Sequence, residues 1–209
     1  MLSEGGTADQ ASPNEMQNDR DGKEESMPRL TPIDHAQAEG QAKVLLDGVQ
    51  KKLGVVPNLF RTMAASPAVL ESYLGFSQSL GGTGLSAKQR EQIALTVAGA
   101  NACEYCASAH TAIGQSLGLS QDETGRNLAG QSEDRTTAAY LTFASALVEK
   151  KGWVSDDDVA AVRAAGADDA TIGEIVATVA LNIFTNYFNH VARTEVDFPV
   201  VEVGTPQAA

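Results

Sequence analysis

Both cysteines of this chain and one of its three histidines fall within eight residues, Cys103-Glu-Tyr-Cys106-Ala-Ser-Ala-His110. On an α-helix, positions three, four and seven apart share a face. Cys103, Cys106 and His110 therefore form one stripe, while Glu104 and Tyr105 point elsewhere. A thiol is a poor nucleophile until it becomes a thiolate. A C-x-x-C pair at a helix start lowers the thiol pKa from about 8.5 into a range of roughly 3.5–7.5, through the helix dipole and nearby proton acceptors. His110, one turn after Cys106, is placed to take that proton, and a second thiol can trap an oxidised first one. The spacing points to redox chemistry. Two other readings of the same residues stand beside it. A structural zinc site needs four ligands, so His190, Glu91 or a neighbouring subunit would have to supply the fourth. A purely structural role would make them two buried cysteines and a satisfied histidine.

Composition narrows the class. With 209 residues and 43% hydrophobic content, the chain is long enough for one domain with a sizeable core. Only 5% of residues are aromatic, while alanine and leucine abound, which favours helix over sheet. A net charge of −12 and a pI near 4.6 argue against a surface that tracks phosphates or anionic membranes. No run approaches the roughly 18 apolar residues needed to span a bilayer. The N-terminus lacks the basic and apolar regions of a secretion signal. Cysteines used as a close pair fit a reducing compartment, so the cytoplasm is the expected location, with neither nucleic acid nor membrane as partner.

The elements that must position the motif read as helices throughout. Residues 1–29 carry seven acids against three bases and almost no large apolar residues, the composition of a disordered tail. The helical domain is expected over 30–199, followed by a flexible tail over 200–209. Ile33 to Leu53 has helical periodicity and stops at Gly54; Pro57 opens a short helix through Met63. Ser66-Pro67 begins another, which ends at the Gly81-Gly82-Thr83-Gly84 break. Ser86 with Gln89 makes a capping box for a largely buried helix, Ala87 to about Ala100. Ser120 with Glu123, Ser155 with Asp158 and Thr171 with Glu174 repeat that signature. The helix over 133–151 has no such box. Eight or nine helices result, in an all-α bundle.

Two polar features interrupt the apolar faces. Glu91 lies one turn into the buried helix, either as a surface carboxylate favoured by the dipole or as the group that orients His110 if the helices double back. Asn182, Asn186 and His190 recur every four residues on the last helix, Ile172 to about Arg193. Polar groups on a core-facing helix must be hydrogen-bonded, in an internal network, in a subunit contact or in the wall of a site.

The register Glu91…Cys103-Glu-Tyr-Cys106-Ala-Ser-Ala-His110 resembles the signature of AhpD-like alkylhydroperoxidases within the carboxymuconolactone decarboxylase family. From about Met27 to Pro199 the chain is similar to a peroxidase-related subgroup, through Leu53-Gly-Val-Val-Pro-Asn-Leu-Phe60 and Asn182-Ile-Phe-Thr-Asn-Tyr-Phe-Asn-His190. The resemblance implies an AhpD-like helical bundle that assembles into homo-trimers or hexamers. It implies a thiol-dependent peroxidase with Cys106 peroxidatic, Cys103 resolving, His110 relaying the proton and Glu91 orienting His110. It implies a peroxide substrate, an external dithiol electron-donor protein, no bound cofactor and no metal. A disulfide reductase or redox sensor would use the same pair against a protein disulfide. The chain departs from the pattern at Tyr105, where AhpD has a second histidine. A phenol with a pKa near 10 donates a hydrogen bond but is a poor base near pH 7. Tyr105, Asn186 and His190 are the supporting candidates.

Overall fold

The structure is a computed structural model that describes residues 27–204. Most of the tail expected over 1–29 and the last part of that over 200–209 lie outside the described residues. Among the described residues there are nine α-helices and no strand: α1 Gly40–Leu53, α2 Asn58–Met63, α3 Pro67–Leu80, α4 Ala87–Ala100, α5 Glu104–Ser116, α6 Gln121–Leu128, α7 Arg135–Glu149, α8 Asp156–Ala164 and α9 Asp169–Ala192. The fold is the expected all-α bundle.

Most boundaries follow from local chemistry. Ser86 and Gln89 form the full capping box of α4, and Ser155 and Asp158 that of α8. Gly54 ends α1 in the left-handed region at φ 77°, as a glycine after the last turn should. Three expectations are corrected. The first helix begins at Gly40 rather than Ile33, after a single 3-10 turn at His35–Gln37. Glu123 leaves its capping box half made: the Ser120 hydroxyl accepts from the Glu123 N–H. The Glu123 carboxylate instead accepts from Gln92, Asn127 and Ser132, because the first two are buried donors with no water to turn to. At α9 the cap is Asp168, not Thr171, and Thr171 donates to it. Glu174 crosses to accept from the backbone N–H groups of Gly84 and Leu85, tying α9 to the turn before α4.

Helix α4 is the axis of the bundle. Residues 92 to 98 are buried without interruption, so every side of this stretch faces another helix, as for a core helix rather than an amphipathic one. One hydrophobic cluster joins α4 to α7, α8 and α9 through Ile93, Val97, Leu141, Phe143, Val162, Ile175 and Val179. A second joins α1, α2, α3 and α5 through Leu46, Leu59, Met63, Leu70 and the two cysteines. The motif therefore sits in the core. The two ends of the described segment are tied to the bundle. Arg29 donates its backbone N–H to the Ala192 carbonyl, Val201 donates to the Ser108 hydroxyl at 2.9 Å, and Val203 packs beside it. Residues 200–204 form a strap, in which Val201 and Val203 are half-buried against the second cluster while Val200, Glu202 and Gly204 are exposed. The outer side of α9 leaves Phe184, Tyr187 and Val191 exposed.

Candidate active site

The site begins at the turn between α4 and α5. Cys103 donates its backbone N–H to the Ala98 carbonyl and occupies the N-cap position of α5. Ala102, just before it, adopts φ 49°, a left-handed conformation uncommon for a residue with a Cβ. Cys106 follows in the first turn of α5, where the free backbone N–H groups and the helix dipole favour negative charge. Both thiols are free and buried, Cys103 being 1% and Cys106 2% exposed.

His110 lies one turn further along the same face. Its Nδ1 is 2.7 Å from Glu91 Oε2, so α4 and α5 do double back on each other and Glu91 is a site residue. Burial alone pushes the imidazole pKa down, but the charge and hydrogen bond of Glu91, with the negative charge of Cys106, outweigh it and raise it. His110 is thereby biased toward imidazolium. The Cys106 thiol is brought down to about 6, first by a hydrogen bond from Cys103, against burial, and then by the charge on His110 and the amides of Asn189 and Asn186. Cys103 moves the opposite way, above the ordinary thiol range, because it holds its proton as donor to Cys106 and is itself buried. The pair is polarised, with Cys106 as the thiolate.

Helix α9 closes the site from the far side. Asn189 Nδ2 donates to Cys106 Sγ at 3.2 Å, and Cys106 lies 4.0 Å from Thr185 Oγ1. Asn186 is fully buried, accepts from Asn101 at 2.9 Å through Oδ1, and leaves its Nδ2 without a hydrogen-bond partner. Of the stripe expected on α9, Asn182 and Asn186 face the Cys106 side of the site; His190 is exposed and lies away from Cys106 and His110, at a hollow on the Cys103 side. The third residue at the site is Asn189, which the sequence reading missed. Removing it as Asn189→Leu is expected to move the thiolate titration of Cys106 back toward the ordinary thiol range and to slow its reaction at pH 6 about tenfold, the worth of one hydrogen bond to a charged group. The Asn189 Oδ1 is unpartnered, so the leucine orphans no donor. Ultraviolet titration of the thiolate checks this, and an unmoved curve would remove Asn189 from the site.

Tyr105 is a structural residue. Its hydroxyl accepts the Leu59 N–H at 3.2 Å, its ring meets Phe198 edge-on at 5.8 Å, and burial raises its pKa above the free phenol's. Cys106 and His110 open on a cavity of about 250 Å³, whose other walls include Leu53, Phe60, Tyr73, Ile113 and Phe198. A larger hollow of about 870 Å³, between α6 and the strap, contains neither cysteine nor histidine. Among the described residues, no group of three His, Cys, Asp or Glu side chains is gathered to hold a metal ion, and no helix is long and apolar enough to cross a membrane.

Comparison with known proteins bears on the fold. No curated protein matches the chain by sequence. The fold is shared with an AhpD-core, peroxidase-related protein of Ralstonia eutropha JMP134, at a TM-score of 0.74 and 24% identity over 81% of this chain and 92% of that one. A peroxidase-related protein of Silicibacter sp. TM1040 gives 0.72 and 24%, over 83% and 92%. The debrominase Bmp8, solved as a cysteine-to-alanine variant with 2,3,4-tribromopyrrole, gives 0.70 and 19%, over 82% and 92%. Residues 67–150, which hold Glu91, Cys103, Cys106 and His110, match the carboxymuconolactone decarboxylase family, on a fold that is AhpD-like.

Proposed function

We propose that the protein is a thiol-dependent peroxide reductase. The observation that carries this is a buried cysteine at the wall of an apolar cavity, with the Asn189 amide 3.2 Å from its sulfur, a Glu91–His110 pair one turn away and a second thiol beside it. Cys106 attacks the outer oxygen of a hydroperoxide, the O–O bond breaks, and the departing alkoxide takes a proton from the His110 imidazolium. Cys106 becomes a sulfenic acid. The Cys103 thiol attacks that sulfur, a disulfide forms and water leaves, so two electrons have passed from the thiols to the peroxide. An external dithiol resets the pair. Glu91 fixes the ring of His110 and keeps it basic, the orienting role in an activated nucleophile.

The test follows free thiols and peroxide together on the reduced protein with one equivalent of cumene hydroperoxide. Two thiols should disappear per peroxide consumed. Below pH 6 the rate should rise about tenfold per pH unit, because only the thiolate reacts, and it should level off above the Cys106 pKa of about 6. A midpoint near 8.5, that of a free thiol, would overturn the reading. If peroxide is spared while protein disulfides are exchanged quickly, the alternative of a disulfide reductase or redox sensor takes its place. The fold shared with Bmp8 adds a third arm: thiol loss to 2,3,4-tribromopyrrole alone would move the substrate to a halogenated ring.

A further inference from the structure

The two cysteines open on different spaces. Cys106 lines the apolar cavity. Cys103 lines a second hollow of about 500 Å³, with Glu104, Asn189, His190, Arg193 and Thr194 in its wall. Only Tyr105 lines both, and it is held rigidly, by the Leu59 N–H on one side and the Phe198 ring on the other. The second hollow is polar where the first is apolar, and His190 and Arg193 on its rim are exposed.

We propose that the reductant enters through this second hollow and attacks the sulfur of Cys103 in the oxidised protein, while the oxidising substrate reaches Cys106 through the apolar cavity. This rests on the reading of Cys103 and Cys106 as a redox couple. The occupant is a thiolate, and the class is a dithiol. Its first sulfur bonds to Cys103 Sγ, the Cys103–Cys106 bond breaks, and the bonding pair leaves on Cys106. Its second sulfur then displaces Cys103, which takes up a proton. The donor departs as a disulfide, oxidised by two electrons, and the protein pair is reduced by two. One donor proton ends on Cys103 and the other goes to solvent or His110.

The direction of attack follows from which sulfur leaves well. Thiol–disulfide exchange is faster when the leaving thiol has the lower pKa. Cys106 leaves into the Asn189 N–H and the charge of His110, which also lower its pKa. Attack on Cys106 would instead expel Cys103, the thiol that burial and its neighbour keep protonated. Access and leaving-group chemistry agree. Two entrances also let the oxidant and the reductant be recognised by different surfaces, one apolar and one polar.

The experiment oxidises the pair with diamide, so that it runs whether or not peroxide is the substrate, and follows re-reduction by dithiothreitol or reduced thioredoxin. In Arg193→Trp, which fills the polar hollow from an exposed position, re-reduction should slow about tenfold, while oxidation of the reduced protein stays within about twofold. Ile113→Trp, at the apolar cavity, should do the reverse with cumene hydroperoxide. Slowing with thioredoxin alone identifies a protein donor; slowing with both identifies the shared dithiol chemistry. As a readout independent of bulky variants, oxidised wild type is quenched with one equivalent of 2-mercaptoethanol and alkylated. Peptide mass spectrometry should find the adduct on Cys103 and the alkyl group on Cys106. An adduct on Cys106, or equal effects of both tryptophans on re-reduction, would overturn the proposal. Failure of peroxide to oxidise the protein would overturn the peroxidase reading and leave this one standing.

Discussion

Cys106→Ser is expected to lower peroxide consumption by about a thousandfold or more, since a covalent nucleophile is lost and a serine hydroxyl is not ionised near pH 7. With a pKa of about 6, wild-type Cys106 is roughly nine-tenths thiolate at pH 7. The contrast with Cys103→Ser separates the roles. That variant retains the nucleophile, so it should consume one equivalent of peroxide and then stop, with a sulfenic acid on Cys106 that dimedone traps. Rapid-mixing measurement of peroxide loss, with mass spectrometry of the adduct, reads both. Full turnover in Cys106→Ser would end the assignment.

Gly99→Ala is expected to destabilise the fold more than any surface change. A Cβ at residue 99 would stand 2.0 Å from the Leu128 carbonyl oxygen and 2.9 Å from its carbonyl carbon. Both are backbone atoms at the end of α6, so neither yields by a rotamer change. Overpacking of this kind costs about 3 kcal/mol or more, a fall of roughly 6–12 °C in Tm for a chain of this length. The cost extends to the site. Gly99 lies on α4 between Glu91 and the turn that sets Cys103, so separation of α4 from α6 loosens both. Thermal unfolding followed by circular dichroism checks it, with Gly125→Ala as control, since a Cβ there meets nothing within 4 Å. A Tm within about 2 °C of wild type would show that α6 moves aside freely.

Much of the site was legible along the chain because its chemistry is local. Cys106 and His110 are one turn apart on α5, and the turn spacing of a helix is a property of the backbone. Helix starts were legible where both capping partners lie within four residues, as at Ser86 and Ser155. The start at Ser120 was also legible, although its box is half made because Glu123 goes to buried donors on α4 and α6; the start at Thr171 was misread, since the cap is Asp168 and Glu174 goes to the Gly84 and Leu85 amides. Sequence spacing has no information on such competition. The stripe on α9 shows a different limit. At 100° per residue, a four-residue repeat drifts by about 40° each step. From Asn182, His190 is therefore about 80° around the helix, while Asn189 is within about 20°. A seven-residue step, not two steps of four, would have found the amide that touches the sulfur.

By itself the sequence determined the helical class and the one-face placement of Cys103, Cys106 and His110, the basis of the thiol chemistry proposed above. Each follows from composition or from contacts within a few residues. Tertiary structure decided what that thiol is. Only the antiparallel packing of α4 on α5 brings Glu91 to His110, and only α9, some eighty residues on, supplies the Asn189 donor to Cys106. Only packing puts Tyr105, held by the Leu59 N–H and the Phe198 ring, between the space at Cys106 and the space at Cys103. Electrostatics inside a protein depend on distance and on exclusion of water, and both are properties of the packed chain.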